Sequence, residues 1–184
     1  MSSRPVAPAA IAALVYSQPP HGADELLAAF AADMQARGHR IHGLVQRETT
    51  APDGRGRPQR RLADLRTGRL YRLSQDLGPG SRACSLDPGA LSGASQVLRD
   101  ALQARAELVI ANRYGAQEAE GGGFAQEMLA LMSEGIPLVT VVSGALLPAW
   151  RRFTGEGGVE MPVARAALQA WFDQLCIHRQ GGAS

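Results

Sequence analysis

Four short, unbroken apolar runs separated by amphipathic helical stripes predict an α/β protein with three layers and a mainly parallel sheet. A β-hairpin is inserted into that sheet where the alternation lapses. The runs are residues 11–15 (IAALV), 41–45 (IHGLV), 108–111 (LVIA) and 136–142 (IPLVTVV). Continuous apolar character of this length suits strands covered on both faces, not the in-out alternation of a half-exposed strand. The regular succession of strand and helix implies right-handed crossovers.

The run at 11–15 opens the sheet. After a turn containing Pro19, Pro20 and Gly22, the stripe Leu26, Leu27, Phe30, Ala31 and Met34 predicts the first helix. The second strand follows at 41–45. Residues 48–61, rich in Pro, Gly and Arg, read as a mobile loop leading into a hairpin of 62–65 and 69–73 around Thr67 and Gly68. A polar loop, 74–88, precedes a helix carrying Leu91, Ala94, Val97, Leu98, Ala101 and Leu102 on one side. The third strand, 108–111, leads to a helix with Phe124, Met128, Leu131 and Met132 inward. The fourth, 136–142, has Pro137 near its start, where a missing N–H is tolerated. A last helix begins after Pro162 and turns Ala164, Ala167, Leu168, Trp171, Phe172 and Leu175 to one side.

A chain of 184 residues with 45% hydrophobic content fits one domain, residues 1–184, with flexible ends at 1–9 and 180–184 and the loop-and-hairpin insertion at 47–73. There is no internal repeat. A net charge of +2 is too small to suggest nucleic acid or an anionic membrane as partner. Residues 9–16 imitate a signal peptide only weakly, and no run reaches the roughly 18 apolar residues of a membrane span. Cys84 and Cys176 lack metal-site or disulfide spacing, which fits a reducing, cytoplasmic setting. All 19 basic residues are arginine, so no mechanism can use a lysine of this chain.

In a parallel α/β sheet, ligands bind beyond the carboxyl ends of the strands. After the first run come Ser17, Gln18, Pro19, Pro20, His21, Gly22, Ala23 and Asp24, a turn opening into a helix N-terminus that suits an anion. Against the phosphate-loop pattern G-x-x-x-x-G-K-[ST], only the second glycine, Gly22, is retained. Ala23 stands at the lysine position and Asp24 at the magnesium-holding hydroxyl, where it could instead cap the helix. After the third run, Asn112 and Arg113 stand where a hydrolase carries its acidic pair. Arg113 is suited to an oxyanion, or to an ion pair with Glu118 or Glu120. Gln75, Gly80, Ser81, Arg82 and Cys84 lie in the 74–88 loop, which can form an anion-binding nest or merely connect. Cys84 reads as a passive thiol. Arg47, just past the second strand, is a third cation at the same sheet edge. His39 and His42 read as lying beside or within the second strand and His178 near a frayed terminus, and no histidine has metal-ligand spacing.

The segments 43–47 (GLVQR), 74–82 (SQDLGPGSR) and 112–121 (NRYGAQEAEG) resemble the bacterial family catalogued as domain of unknown function 2478, over roughly residues 10–155. The resemblance implies a relative of the P-loop hydrolases, often found near genes for molybdate uptake and molybdenum enzymes. The layout is also similar to the small thermostable nucleoside-triphosphatases, in which an acidic segment ends a later strand. By that likeness Asn112 and Arg113 take the acidic positions and Ala23 the lysine position, and these departures count against hydrolysis.

The expectation is a non-catalytic protein that binds a tetrahedral oxyanion, molybdate or tungstate, through Ser17, Gln18, His21, Gly22, Ala23, Asp24, Arg47, Gln75, Gly80, Ser81, Arg82, Cys84, Asn112 and Arg113. No catalytic residue, bound metal or other cofactor is assigned. A protein partner in molybdenum metabolism and a homodimer are both compatible with the sequence. One alternative is a nucleotide hydrolase or phosphotransferase in which arginines replace the lysine and Asp24 or Glu118 holds magnesium. Another is an interaction module using the hairpin or the helix of Trp171 and Phe172.

Overall fold

A computed structural model describes residues 9–17, 22–49, 59–72, 88–111 and 113–181. In chain order the elements are β1 (Ile11–Tyr16), α1 (Ala23–Ala36), β2 (Ile41–Thr49), β3 (Gln59–Asp64), β4 (Leu70–Arg72), α2 (Pro88–Gln103), β5 (Leu108–Ile110), α3 (Ala116–Ala119), α4 (Ala125–Ser133) and β6 (Leu138–Ser143). A 3-10 turn (Gly144–Leu146), α5 (Leu147–Phe153), β7 (Val159–Pro162) and α6 (Arg165–Gly181) complete them.

One seven-stranded sheet runs β4-β3-β2-β5-β6-β1-β7. The four apolar runs became its parallel centre, β2, β5, β6 and β1, and β7 extends it in the same direction. Their side chains alternate between two cores. Ala12 and Leu14 of β1 pack with Leu27, Phe30 and Met34 of α1 and Leu168, Trp171 and Phe172 of α6. Ala13 faces the other way, into a core with Leu98 of α2, Met128 and Leu131 of α4 and Trp150 of α5. The fold is therefore the three-layer α/β arrangement with a mainly parallel sheet.

The insertion differs from expectation in extent. Strand β2 continues to Thr49 and β3 begins at Gln59, so part of the stretch read as a loop is a ladder in which Arg47 faces Arg61, Glu48 faces Arg60 and Thr49 faces Gln59. With β4 added through Arg61 opposite Arg72, the hairpin becomes a three-stranded antiparallel ribbon. Strand β2 changes partner at Gly43: Ile41 to Gly43 pair with β5, and pairing with β3 starts at Leu44. Between β3 and β4, the buried Asp64 accepts hydrogen bonds from the Arg66 N–H at 2.8 Å and the Thr67 hydroxyl, closing the turn expected at Thr67 and Gly68.

Strand β6 starts at Leu138, two residues later than the apolar run. Pro137 cannot donate to a ladder, though its carbonyl accepts from Val109 at 2.8 Å. The short elements β7, α3 and α5 carry no long apolar run and were not foreseen. Among the described residues no helix is long and apolar enough to cross a membrane. Of the flexible ends expected at 1–9 and 180–184, residues 1–8 and 182–184 fall outside the described residues, and α6 runs to Gly181. Ala9 is held by its carbonyl, which accepts from the Trp171 indole N–H at 3.0 Å.

Candidate functional site

From β1 the chain crosses past β6 and β5 to β2, and β7, which follows β6 in sequence, pairs on the other side of β1. A ligand crevice is expected beyond the carboxyl end of such a strand. Tyr16 closes β1 there, and α1 starts at Ala23. Gly22 is the N-cap of α1, with φ of 82° in the left-handed region that glycine enters without strain. Among the described residues no side chain caps the helix. Asp24, expected as a possible cap, is instead the second helical residue, and its carboxylate reaches across the sheet edge.

Its partner is Arg113. The Arg113 Nη2 donates to Asp24 Oδ2 at 2.6 Å, between side chains that are 21% and 13% exposed. The guanidinium also lies over the Tyr16 ring, 5.8 Å from its centroid, within range of a cation–π attraction. Contact with the carboxylate is one-armed: Asp24 Oδ1 and Arg113 Nε are both buried without a hydrogen-bond partner among the described residues. Burial holds the Asp24 carboxyl above the usual carboxylate range, and the Arg113 hydrogen bond and charge only partly oppose that shift.

Arg113 is positioned by the chain that follows it. Past β5 the backbone swings across the end of β6, where the Tyr114 N–H donates to the buried Thr140 hydroxyl and the Val141 carbonyl, both at 3.1 Å. The Tyr114 ring is wedged against Trp150 and Phe153. Glu118 and Glu120, foreseen as ion-pair partners of Arg113, do not fill that role. Glu118 is buried and accepts from the backbone N–H groups of Gly115 at 2.9 Å and Phe124 at 3.1 Å, fixing the α3–α4 corner. Each of its two oxygens thereby accepts one backbone N–H.

Arg47 lies further along the same edge. It lines a cleft of about 340 Å³ with Asp24, Glu25, Ala28, Gln46 and Glu48, and an adjoining one of about 400 Å³ floored by the ribbon at Ala63, Asp64 and Leu65. Among the described residues the lining of the first cleft carries three carboxylates and one guanidinium, and Glu48 also pairs with Arg60 at 3.9 Å. Asp24 is the residue shared between this cleft and Arg113. Of the predicted site residues, the structure brings Gly22, Ala23, Asp24 and Arg113 together at the β1–β5 edge, with Ser17 at the end of β1. Ala23 is fully buried, so the position of a P-loop lysine is closed by a methyl group. Gln18, His21, Gln75, Gly80, Ser81, Arg82, Cys84 and Asn112 lie outside the described residues. Tyr16 and Thr140 were missed as positioning residues. A lone hydroxyl inside the run 136–142 was the available signal for Thr140.

Residues 11–171 match the family described as Protein of unknown function (DUF2478). The chain belongs to this family. A curated relative, Molybdenum import ATP-binding protein ModC 2 of Bradyrhizobium diazoefficiens (strain USDA 110), is 37% identical over 166 residues, 90% of this chain and 18% of that protein. The chain thus spans less than a fifth of the curated relative it matches. Two solved structures share the fold of this DUF2478 member. The solution structure of a human cancer-related nucleoside triphosphatase matches with a TM-score of 0.61 at 17% identity, over 93% of this chain and 98% of that one. The crystal structure of THEP1 from the hyperthermophile Aquifex aeolicus gives 0.60 at 15%, over 90% and 96%. The fold is that of the small P-loop nucleoside-triphosphatases.

Proposed function

We propose that this protein binds a tetrahedral oxyanion without hydrolysing nucleotides, on a P-loop-type scaffold, with molybdate or tungstate as ligand and the cytoplasm as its place of work. The observation that carries this reading is Arg113. A guanidinium at the carboxyl edge of the sheet, held on the Tyr16 ring with its Nε unpartnered among the described residues, offers one edge of a planar fork to a ligand oxygen. The molybdenum in the name of the 37% identical relative supports the choice of ligand.

Nucleotide hydrolysis is the weaker reading for reasons of charge. Phosphoryl transfer depends on cations that position and neutralise the phosphates. Here Ala23 replaces the lysine, and Asp24, the residue nearest a magnesium-holding position, is engaged by Arg113. A carboxylate in the first turn of α1 also takes up the favourable end of the helix dipole that a phosphate would use.

The test is the thermal midpoint of the protein with molybdate, tungstate, sulfate, phosphate, and ATP with and without magnesium. A ligand at about 100 times its dissociation constant stabilises by about 2.7 kcal/mol, a rise of about 5–11 °C for a domain of this size. We expect that rise with molybdate or tungstate and its loss in Arg113→Ala. A rise with ATP alone would instead support the nucleotide-binding alternative.

A further inference from the structure

The two charged groups at the sheet edge form an unusual pair, because neither satisfies the other completely. Arg–carboxylate pairs in partly buried settings tend to close through two parallel hydrogen bonds. This one closes through Nη2 and Oδ2 alone, leaving a buried donor on Arg113 and a buried acceptor on Asp24 without partners among the described residues. The pair is nonetheless short, at 2.6 Å, and largely withdrawn from solvent, so each charge acts on the other with little screening. Asp24 also borders the cleft of Arg47. Any anion approaching Arg113 from that side must meet this carboxylate first.

We propose that Asp24 is the site's own counter-anion, a carboxylate that occupies Arg113 when no ligand is bound and that an incoming oxyanion must displace. The inference rests on the oxyanion reading above and assigns Asp24 a role opposite to that of a ligand-binding residue: it weakens binding and selects among anions. A small tetrahedral oxyanion can exchange for the carboxylate at the guanidinium, with Asp24 turning toward the solvent-open cleft. A nucleotide polyphosphate extends past the guanidinium and keeps the displaced carboxylate within range of its other charges, so repulsion persists after the exchange. Asp24 thereby sets both the affinity for the oxyanion and the preference for a compact ligand. The elevated pKa of the buried carboxyl is consistent with a group that gives up its charge more readily than an ordinary aspartate.

The experiment compares wild type with Asp24→Asn, Asp24→Ser and Arg113→Ala, titrating molybdate and, separately, ATP by calorimetry at one pH and ionic strength, after circular dichroism has established that each variant is folded. Two replacements at position 24 guard against a folding defect in either. The expected result is molybdate affinity raised at least tenfold in both Asp24 variants, a larger proportional gain for ATP, and loss of binding in Arg113→Ala. If Arg113→Ala abolishes binding but both Asp24 variants bind molybdate as wild type does or more weakly, Asp24 is a ligand or a bystander, and the counter-anion role is overturned while the oxyanion reading stands. If no folded variant binds molybdate, both fall.

Discussion

At Asp24 the folded protein changes the cost of carrying a charge, and the change has a sign that can be measured. Burial raises the folded-state pKa of this carboxyl above its unfolded value near 3.9. Between those two values the folded chain holds a proton that the unfolded chain has released. Stability from this group is therefore fully present below about pH 4 and is lost as pH rises through the folded pKa. Asp33, lowered by its bond to Arg165, and Glu160, lowered by its bond to Arg151, act in the opposite sense, but they are exposed and common to any Asp24 variant. Urea midpoints of wild type and Asp24→Asn measured from pH 4 to 7 should diverge: the wild type loses stability relative to the variant as pH rises. Parallel curves would mean that the carboxyl titrates at its ordinary value. Glu118 is a contrasting case. Its two oxygens each accept a backbone N–H, so its role is to close a corner, and its acidic character in the sequence gave no guide to that.

At the scale of elements, the decisive position is Gly43, where β2 passes from a parallel neighbour to an antiparallel one. Its φ is 119°, and a Cβ built on it would lie 2.0 Å from the Ile110 carbonyl oxygen and 2.8 Å from the Ile110 carbonyl carbon. That contact involves backbone on the adjacent strand, which cannot swing away. Gly43→Ala is expected to destabilise the fold by about 3 kcal/mol or more, through backbone strain and steric overlap together, read as a lowered denaturant midpoint. A loss below about 1 kcal/mol would show that β2 and β5 can separate without penalty. The same junction explains what the sequence could and could not reveal. The central strands were legible because burial on both faces demands unbroken apolar runs. Beyond Gly43, β2 runs on through Gln46, Arg47, Glu48 and Thr49 as part of an outlying ribbon, and such polar residues resemble a loop. Strand β7 was hidden likewise: Val159–Pro162 is a four-residue edge strand with Glu160 paired to Arg151 on the surface. The site was half legible. Asp24 was marked by its place in a degenerate phosphate loop, but its partner lies 89 residues away in sequence, and no local pattern encodes that pairing.

The molecule as a whole divides its work between the two edges of the sheet. At the carboxyl edge lie Asp24, Arg113 and the clefts of Arg47; at the amino edge the chain is held by packing and by hydrogen bonds. There Trp171 of α6, only 5% exposed, donates its indole N–H to the Ala9 carbonyl just ahead of β1. Phe172 beside it meets the edges of Phe30 and His39 at 5.6 and 5.2 Å. Arg165 lies over the Phe30 ring and pairs with Asp33, so α6 and α1 are joined along one face of the sheet. Removing the Trp171 side chain leaves a cavity in that seam and frees the start of β1. Trp171→Ala is expected to cost about 3–5 kcal/mol, a fall in thermal midpoint of about 6–20 °C for a domain of this size. Because Ala9 and Tyr16 stand at opposite ends of β1, folded Trp171→Ala protein at low temperature should bind molybdate with the affinity of the wild type. Weakened binding in the folded variant would mean that α6 sets the position of α1 at its ligand-facing end, and that the two edges are coupled through the helix layer.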